Sequence, residues 1–236
     1  CINQHLSEYN KDNINYYFIS FIAITIFAII AICQPYLDSK YSLYHFSQTL
    51  HNHALNYIMT YCTLLADKQT FMGIILLLAL FTDKKEARFL LISTAICLVA
   101  TLACKYLFHI HRPPKIDQWN SFPSGHSIRA SFLLNYLYLR HSFNKNFKKI
   151  MWLLITMICL SRLYLGAHWW PDVIAGTAFG TGSIYLAHAI SKAKESRIKL
   201  KSLLIGLVCI VYTYVAYNKI NSGYVDFFLG RNQTKI

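Results

Sequence analysis

The chain has 236 residues, of which 55% are hydrophobic and only 14% charged, and its formal net charge is +13. Soluble domains average about 45–50% apolar and about 25% charged residues, so this composition argues against a soluble domain and for a membrane. The basic surplus could serve nucleic acid, an anionic substrate or membrane topology, and only its position along the chain decides between these.

In chain order, residues 1–16 read as an N-terminal tail. The chain begins at Cys1 rather than Met, which suggests trimming. The first apolar run, 17–33, lacks a small-x-small cleavage site, and Ile32 before Cys33 argues against lipoprotein processing. It is expected to be a retained anchor. The mixed stretch 40–66 sets Tyr41, Tyr44, Phe46, Tyr57 and Tyr61 among polar residues and predicts an interfacial helix or two. Further spans are predicted at 69–82, 87–108, 126–140, 149–165, 171–190 and 202–217. The expected fold is therefore an all-α, polytopic transmembrane helical bundle of six or seven spans. It divides into a first span with interfacial segment (17–68), a core (69–190) and a C-terminal part (191–236) with a basic loop, a possible seventh span and a tail. The seven cysteines show no Cys-x-x-Cys pairing and sit mostly inside apolar runs, so they are expected to be small apolar filler.

With the N-terminus placed in the cytoplasm, the loops at 83–88, 140–149 and 191–201 are short, densely basic and all on one side. That is the positive-inside pattern. It gives much of the basicity a topological meaning and leaves nucleic-acid binding without support. Lys105, Arg112, Arg129 and Arg162 fall instead at or near the opposite ends of spans. Cations there either snorkel to the interface or serve a function.

Those same span ends carry the remaining chemistry. One span ends in "KYLFHIHRPP", with Lys105, Arg112 and Pro113. The next is preceded by Pro123, Ser124 and Gly125 and opens at His126. The following one ends at Ser161 and Arg162, and the last is preceded by His168 and opens with Pro171 and Asp172. Lys105, Arg112 and Arg162 can neutralise an oxyanion. The N–H groups of Ser124, Gly125 and His126, at a helix N-terminus, form a plausible phosphate cradle, although Pro-Ser-Gly is also an ordinary turn. Asp172 can fix the tautomer of His168 and leave its other nitrogen as nucleophile, or the pair can be a structural hydrogen bond. His168 is expected on a surface loop, and Trp169 and Trp170 are expected to be interfacial belt residues.

Together these residues resemble the three-part signature of the type 2 phosphatidic acid phosphatase superfamily. Lys105–Arg112–Pro113, Pro123–Ser124–Gly125–His126 and Ser161–Arg162–His168–Asp172 meet it without a gap, and the resemblance covers about residues 70–190. It implies that His168 attacks phosphorus to give a phosphohistidine and that Asp172 orients it. It further implies that His126 protonates the leaving oxygen and later activates water, while Lys105, Arg112, Ser124, Gly125 and Arg162 hold the phosphoryl oxygens. No cofactor and no metal is implied. The apolar spans select the membrane-embedded lipid phosphatase branch, with a lipid phosphate and membrane lipids as partners and no obligate protein partner. By resemblance to its envelope-lipid members, the expected substrate is the 1-phosphate of lipid A. Undecaprenyl pyrophosphate, phosphatidylglycerophosphate or a phosphotransferase reaction are the alternatives. The expected location is a bacterial inner membrane with the site facing the periplasm. Intact His126, His168 and Asp172 argue against a degenerate, non-enzymatic relative, and the absence of mid-span charges argues against an ion pathway. Arg129 lies one helical turn after His126, outside the signature, and is expected to meet a second acidic group of the substrate, Asp172 or Asp117. The stretch 40–66 with His45, His51 and His53, together with Asp67, Lys68 and Lys115, is a further candidate headgroup clamp or a simple interfacial belt.

Overall fold

A computed structural model describes residues 2–33, 37–116, 120–140 and 145–192. Among these residues every regular element is a helix: α1 (Ile2–Cys33), α2 (Ser39–Thr49), α3 (His53–Leu64), α4 (Lys68–Phe81), α5 (Lys84–Phe108), α6 (Gly125–Arg140), α7 (Lys145–Tyr164) and α8 (Trp170–Lys192). The predicted spans from 17 to 190 each fall on one of α1 and α4–α8, and the mixed stretch resolves into α2 and α3. Helix α1 starts at Ile2, so the polar residues ahead of Tyr17 continue the same helix. Asp117, the basic loop 193–201 and the predicted span 202–217 lie outside the described residues.

Short polar residues set the helix starts. Asn52 accepts from the Leu55 N–H (2.9 Å), Asp67 from Gln69 (3.2 Å), and Asp83 from both Lys85 and Glu86 (2.9 Å each). Among the described residues three helices are long and apolar enough to cross a membrane: α1 over Asn15–Cys33, α5, and α8 over Trp170–Ser191. The pair α3–α4 qualifies as a fourth only if its 43° bend is counted within one span. Helix α6 has 16 residues, about 24 Å against a hydrocarbon core of about 30 Å. It also differs in kind: Ser127, Ser131 and Asn135 are buried in protein and hydrogen-bonded, two of them back to the preceding turn. The outer faces of α4 and α5, by contrast, expose Leu80, Phe81, Val99, Leu102 and Tyr106. Such continuous apolar exposure is what a lipid-facing surface requires.

Helix α8 is the axis. It packs along α1 on one side and α6 on the other, while α3 and α6 lie against α7 and α4 lies against α5. Small residues make these approaches possible. Gly176 and Gly180 form a Gly-xxx-Gly stripe facing α6, where a Cβ on Gly176 would sit 2.7 Å from the Ser124 carbonyl oxygen. Gly182 faces α1 in the same way, with Ala23 beside it. A cluster of Phe27, Phe108, Phe122 and Phe179 joins α1, α5, α8 and the loop before α6, with ring centroids 5.2–6.4 Å apart. Phe122 is fully buried there and fixes the loop that carries Pro123 and Ser124. At the other end of the bundle Glu86 of α5 accepts from the Tyr136 hydroxyl (2.8 Å) and pairs with Arg140, both on α6. Cys33, Cys62, Cys97, Cys104 and Cys159 are free thiols.

Candidate active site

The site forms where α5, α6, α7 and α8 end at one face. The α5 C-cap, His109, takes a left-handed conformation (φ 44°) and returns its N–H to the Lys105 carbonyl (3.2 Å). The chain then crosses to Ser121, whose N–H bonds the Ile110 carbonyl (2.8 Å). Between α7 and α8 the turn passes through Gly166 at φ 66°, a conformation glycine adopts without a Cβ penalty. It delivers Ala167, His168 and Trp169 to the same place.

His168 and Asp172 lie side by side, with Nδ1 3.4 Å from Oδ2. Both are buried, so the loop carrying His168 is not the surface loop expected from the sequence. Lys40, Tyr44 and Ser47 of α2 share one small crevice with His168 and Trp169, which accounts for the burial. Asp172 is held by more than the histidine. Its Oδ2 accepts a short hydrogen bond from the Ser121 hydroxyl and another from the Trp169 N–H (3.0 Å). Ser121 also lies 3.4 Å from His168 Nδ1. Ser121 escaped the sequence reading because it stands two residues ahead of the Pro-Ser-Gly-His motif and carries no charge.

Around this pair stand the cations. Burial, reinforced by Arg162, Arg112 and Lys105, holds the His168 imidazole well below its ordinary pKa and therefore neutral. Lys105 Nζ donates to the Asn120 carbonyl (2.7 Å), Arg112 Nη1 to the Ala167 carbonyl (3.4 Å) and Arg162 Nη1 to the Thr63 hydroxyl (2.6 Å). The Nε atoms of Arg112 and Arg162 are both buried without a hydrogen-bond partner. Two buried guanidinium donors left open beside a neutral imidazole make a ready site for an oxyanion.

The Pro-Ser-Gly-His turn contributes less backbone than the sequence suggested. The Ser124 N–H donates to the Asp172 carbonyl oxygen (3.0 Å), and the Ser124 hydroxyl accepts from Ser127 (3.1 Å). Ser124 therefore ties α6 to α8, and its amide is not part of an open cradle. Gly125 and His126, in the first turn of α6, have no acceptor in a preceding turn and keep that capacity. Arg129 lies directly over this turn: a Cβ on Gly125 would be 3.1 Å from its Nη1.

Arg129 has a backbone partner that its sequence position did not suggest. Its Nε donates to the Ala66 carbonyl (2.8 Å), at the break between α3 and α4. Asp67, one residue on, lies 3.8 Å from His126 Nε2 through its Oδ1. Trp169 is buried rather than interfacial. Its indole N–H donates to the His111 carbonyl (2.8 Å), and Tyr41 and Tyr44 of α2 pack edge-on against it. His51 stacks on Tyr164 and bonds its carbonyl oxygen (2.7 Å), so it braces the α2–α3 connection against α7. Tyr57 and Tyr61 are exposed, as belt residues should be. Among the described residues no three His, Cys, Asp or Glu side chains converge as a metal site.

The sequence model of the PAP2 superfamily matches residues 16–196. No curated protein matches the chain. Two solved structures are similar. The Bacillus subtilis transmembrane PAP2-type phosphatidylglycerolphosphate phosphatase aligns with a TM-score of 0.62 at 19% identity, over 74% of this chain and 97% of that one. LpxE of Aquifex aeolicus aligns with a TM-score of 0.54 at 22% identity, over 62% of this chain and 93% of that one.

Proposed function

The chain belongs to the PAP2 superfamily, and from that footing we propose that it is a membrane phosphatase that removes phosphate from a lipid through a phosphohistidine. The observation that carries the reading is a buried, neutral His168 backed by Asp172 and facing two arginines with open buried Nε donors.

The chemistry follows from the geometry. Asp172 engages the Nδ1 side of His168, which leaves Nε2 as the nucleophile. Nε2 attacks phosphorus, a P–N bond forms and the P–O bond to the lipid breaks. His126 gives a proton to the departing oxygen. It then takes a proton from water, whose oxygen attacks phosphorus, the P–N bond breaks and inorganic phosphate leaves. Lys105, Arg112 and Arg162 hold the phosphoryl oxygens as charge redistributes, with the first-turn amides of Gly125 and His126 adding to them. Ser121 and the Trp169 N–H keep Asp172 oriented.

For the substrate, the 1-phosphate of lipid A is the first choice. The face that would bind phosphate carries more cations than one phosphate needs, since Arg129 lies over Gly125, Lys40 faces Asp172 and Lys115 lies beside Gly166 in the α7–α8 turn. Undecaprenyl pyrophosphate and phosphatidylglycerophosphate are likewise multiply anionic, and the Bacillus subtilis neighbour favours the latter. The enzyme would sit in a bacterial inner membrane with its N-terminus in the cytoplasm and this site in the periplasm. Purified protein given lipid A, undecaprenyl pyrophosphate, phosphatidylglycerophosphate and phosphatidic acid should release inorganic phosphate from at least one. Mass loss at the lipid A 1-position identifies the first choice, and transfer to a second lipid without free phosphate identifies a phosphotransferase. No phosphorus chemistry on any of them would refute the proposal.

A further inference from the structure

The break between α3 and α4 reaches three site side chains at once. Thr63 accepts from Arg162 (2.6 Å), the Ala66 carbonyl accepts from Arg129 (2.8 Å), and Asp67 Oδ1 stands 3.8 Å from His126 Nε2. None of the three belongs to the family signature given above. Asp67 divides its carboxylate: Oδ2 caps α4 through the Gln69 N–H, and Oδ1 faces His126.

The titratable groups facing His126 are Arg162 from α7, Arg129 from its own helix, the neutral His168 from the α7–α8 loop and Asp67 from the α3–α4 break. Burial first, and then the arginines, oppose a positive imidazole. Yet the step assigned to His126 requires an imidazolium that gives up a proton, and Asp67 is the anionic member of that set. Its carboxylate is 41% exposed and His126 18%, so water and lipid headgroups can exchange protons there.

We propose that Asp67 is a positioning residue that holds His126 in its protonated, correctly turned form through the Oδ1–Nε2 pair, making the α3–α4 break a working part of the site. Asp67 stays a carboxylate throughout. The proton leaves the His126 imidazolium for the lipid oxygen as the P–O bond breaks, and returns to His126 from the attacking water. The inference rests on the phosphohistidine reading and adds to it a source of charge for the general acid.

The test uses the full chain in detergent micelles with dioctanoyl phosphatidic acid and whichever envelope lipid the wild type hydrolyses. Asp67→Asn and Asp67→Ser both keep a competent helix cap while removing the charge. For a partly exposed ion pair the expected fall in kcat is about two- to five-fold, with the basic limb of the kcat–pH profile moving down by about 0.3–0.7 pH unit. p-Nitrophenyl phosphate, whose leaving group needs little protonation, should lose less than the lipid does. A kcat fall that is equal for aryl and lipid phosphates, or a basic limb that stays in place in both variants, overturns the inference and leaves Asp67 as a cap alone. If the wild type is inactive, or His168→Ala is as active as the wild type, the phosphohistidine reading fails and this inference falls with it. A wild type that depends on His168 but is indifferent to Asp67 removes only the inference.

Discussion

Gly176→Ala tests whether the contact between α6 and α8 sets the catalytic geometry. An added Cβ would lie 2.7 Å from the Ser124 carbonyl oxygen, 3.1 Å from Ser127 Cβ and 3.3 Å from the Ser124 nitrogen. The first of these is about 0.7 Å short of ordinary van der Waals contact. The obstacle cannot swing aside, because the Ser124 carbonyl accepts the Ile128 N–H (3.0 Å) in the first turn of α6 and its N–H holds Asp172 (3.0 Å). The helices must therefore part, and the motion falls on the backbone bond joining the Pro-Ser-Gly-His turn to Asp172 in the first turn of α8. Overpacking of this kind costs about 1–3 kcal/mol, and misplacing reacting groups by about 1 Å costs about 100-fold. The expected result is a kcat/KM lowered about 10- to 100-fold, with a thermal midpoint lowered by about 2–4 °C for each kcal/mol. The same exchange at Gly73, where nothing lies within 4 Å of the new Cβ, should be neutral or stabilising by up to about 1 kcal/mol. Lipid-phosphate hydrolysis and a detergent-phase melt measure both. A Gly176→Ala protein within two-fold of wild type and with an unchanged melt would refute the argument that this contact positions the site.

His168→Ala should abolish turnover and Asp172→Asn should reduce it severely, vanadate should inhibit, and chelators should have no effect; a strict need for added magnesium, read by phosphate release, would contradict the mechanism. Because the His168 pKa is lowered, its nucleophilic form persists as pH falls below the ordinary imidazole value of about 6.5, so the acid limb of kcat/KM assigned to it should lie under that value. Removing one of the opposing cations in Arg162→Gln should move this limb upward, and a limb that stays put or moves down would reverse the sign. A cysteine introduced at Lys145 should be labelled only from the cytoplasmic side, and labelling from outside in intact cells would invert the proposed topology.

Much of this was legible in the sequence because membrane and phosphate chemistry constrain residue types tightly. Apolar runs locate α1, α5 and α8 with little ambiguity, and cations at span ends stand out because so few charges are present. The Gly-xxx-Gly stripe of α8 is also written in the chain, at Gly176 and Gly180, and indicates a close helix contact without naming the partner. Other features leave no residue signature. The partner of Arg129 is the Ala66 carbonyl, which every residue type would offer. Trp169 has the composition of a belt residue, and only the placement of α2 covers its ring, with Tyr41 and Tyr44. Ser121 acts through one hydroxyl, and its importance depends on a carboxylate 51 positions later in the chain. Side-chain identity reports chemistry; it does not report which backbone group or which helix comes to meet it.

The break between α3 and α4 resolves two difficulties that would each be costly alone. An interrupted helix leaves carbonyls without intrahelical donors. Arginines near a span end carry five N–H donors each and a charge that lipid disfavours. Here the Ala66 carbonyl takes Arg129 Nε, and the Thr63 hydroxyl takes Arg162 Nη1. Each contact consumes one donor and fixes the plane of a guanidinium, and the remaining donors keep a defined direction. Arg162 Nε is one of these, buried and open. A straight span at this position would satisfy its own carbonyls and leave both arginines to find other anchors or to rotate freely. The break instead anchors both guanidiniums, and under the proposed mechanism the cations would be oriented before substrate arrives, the condition under which fixed dipoles and charges stabilise a transition state without reorganising.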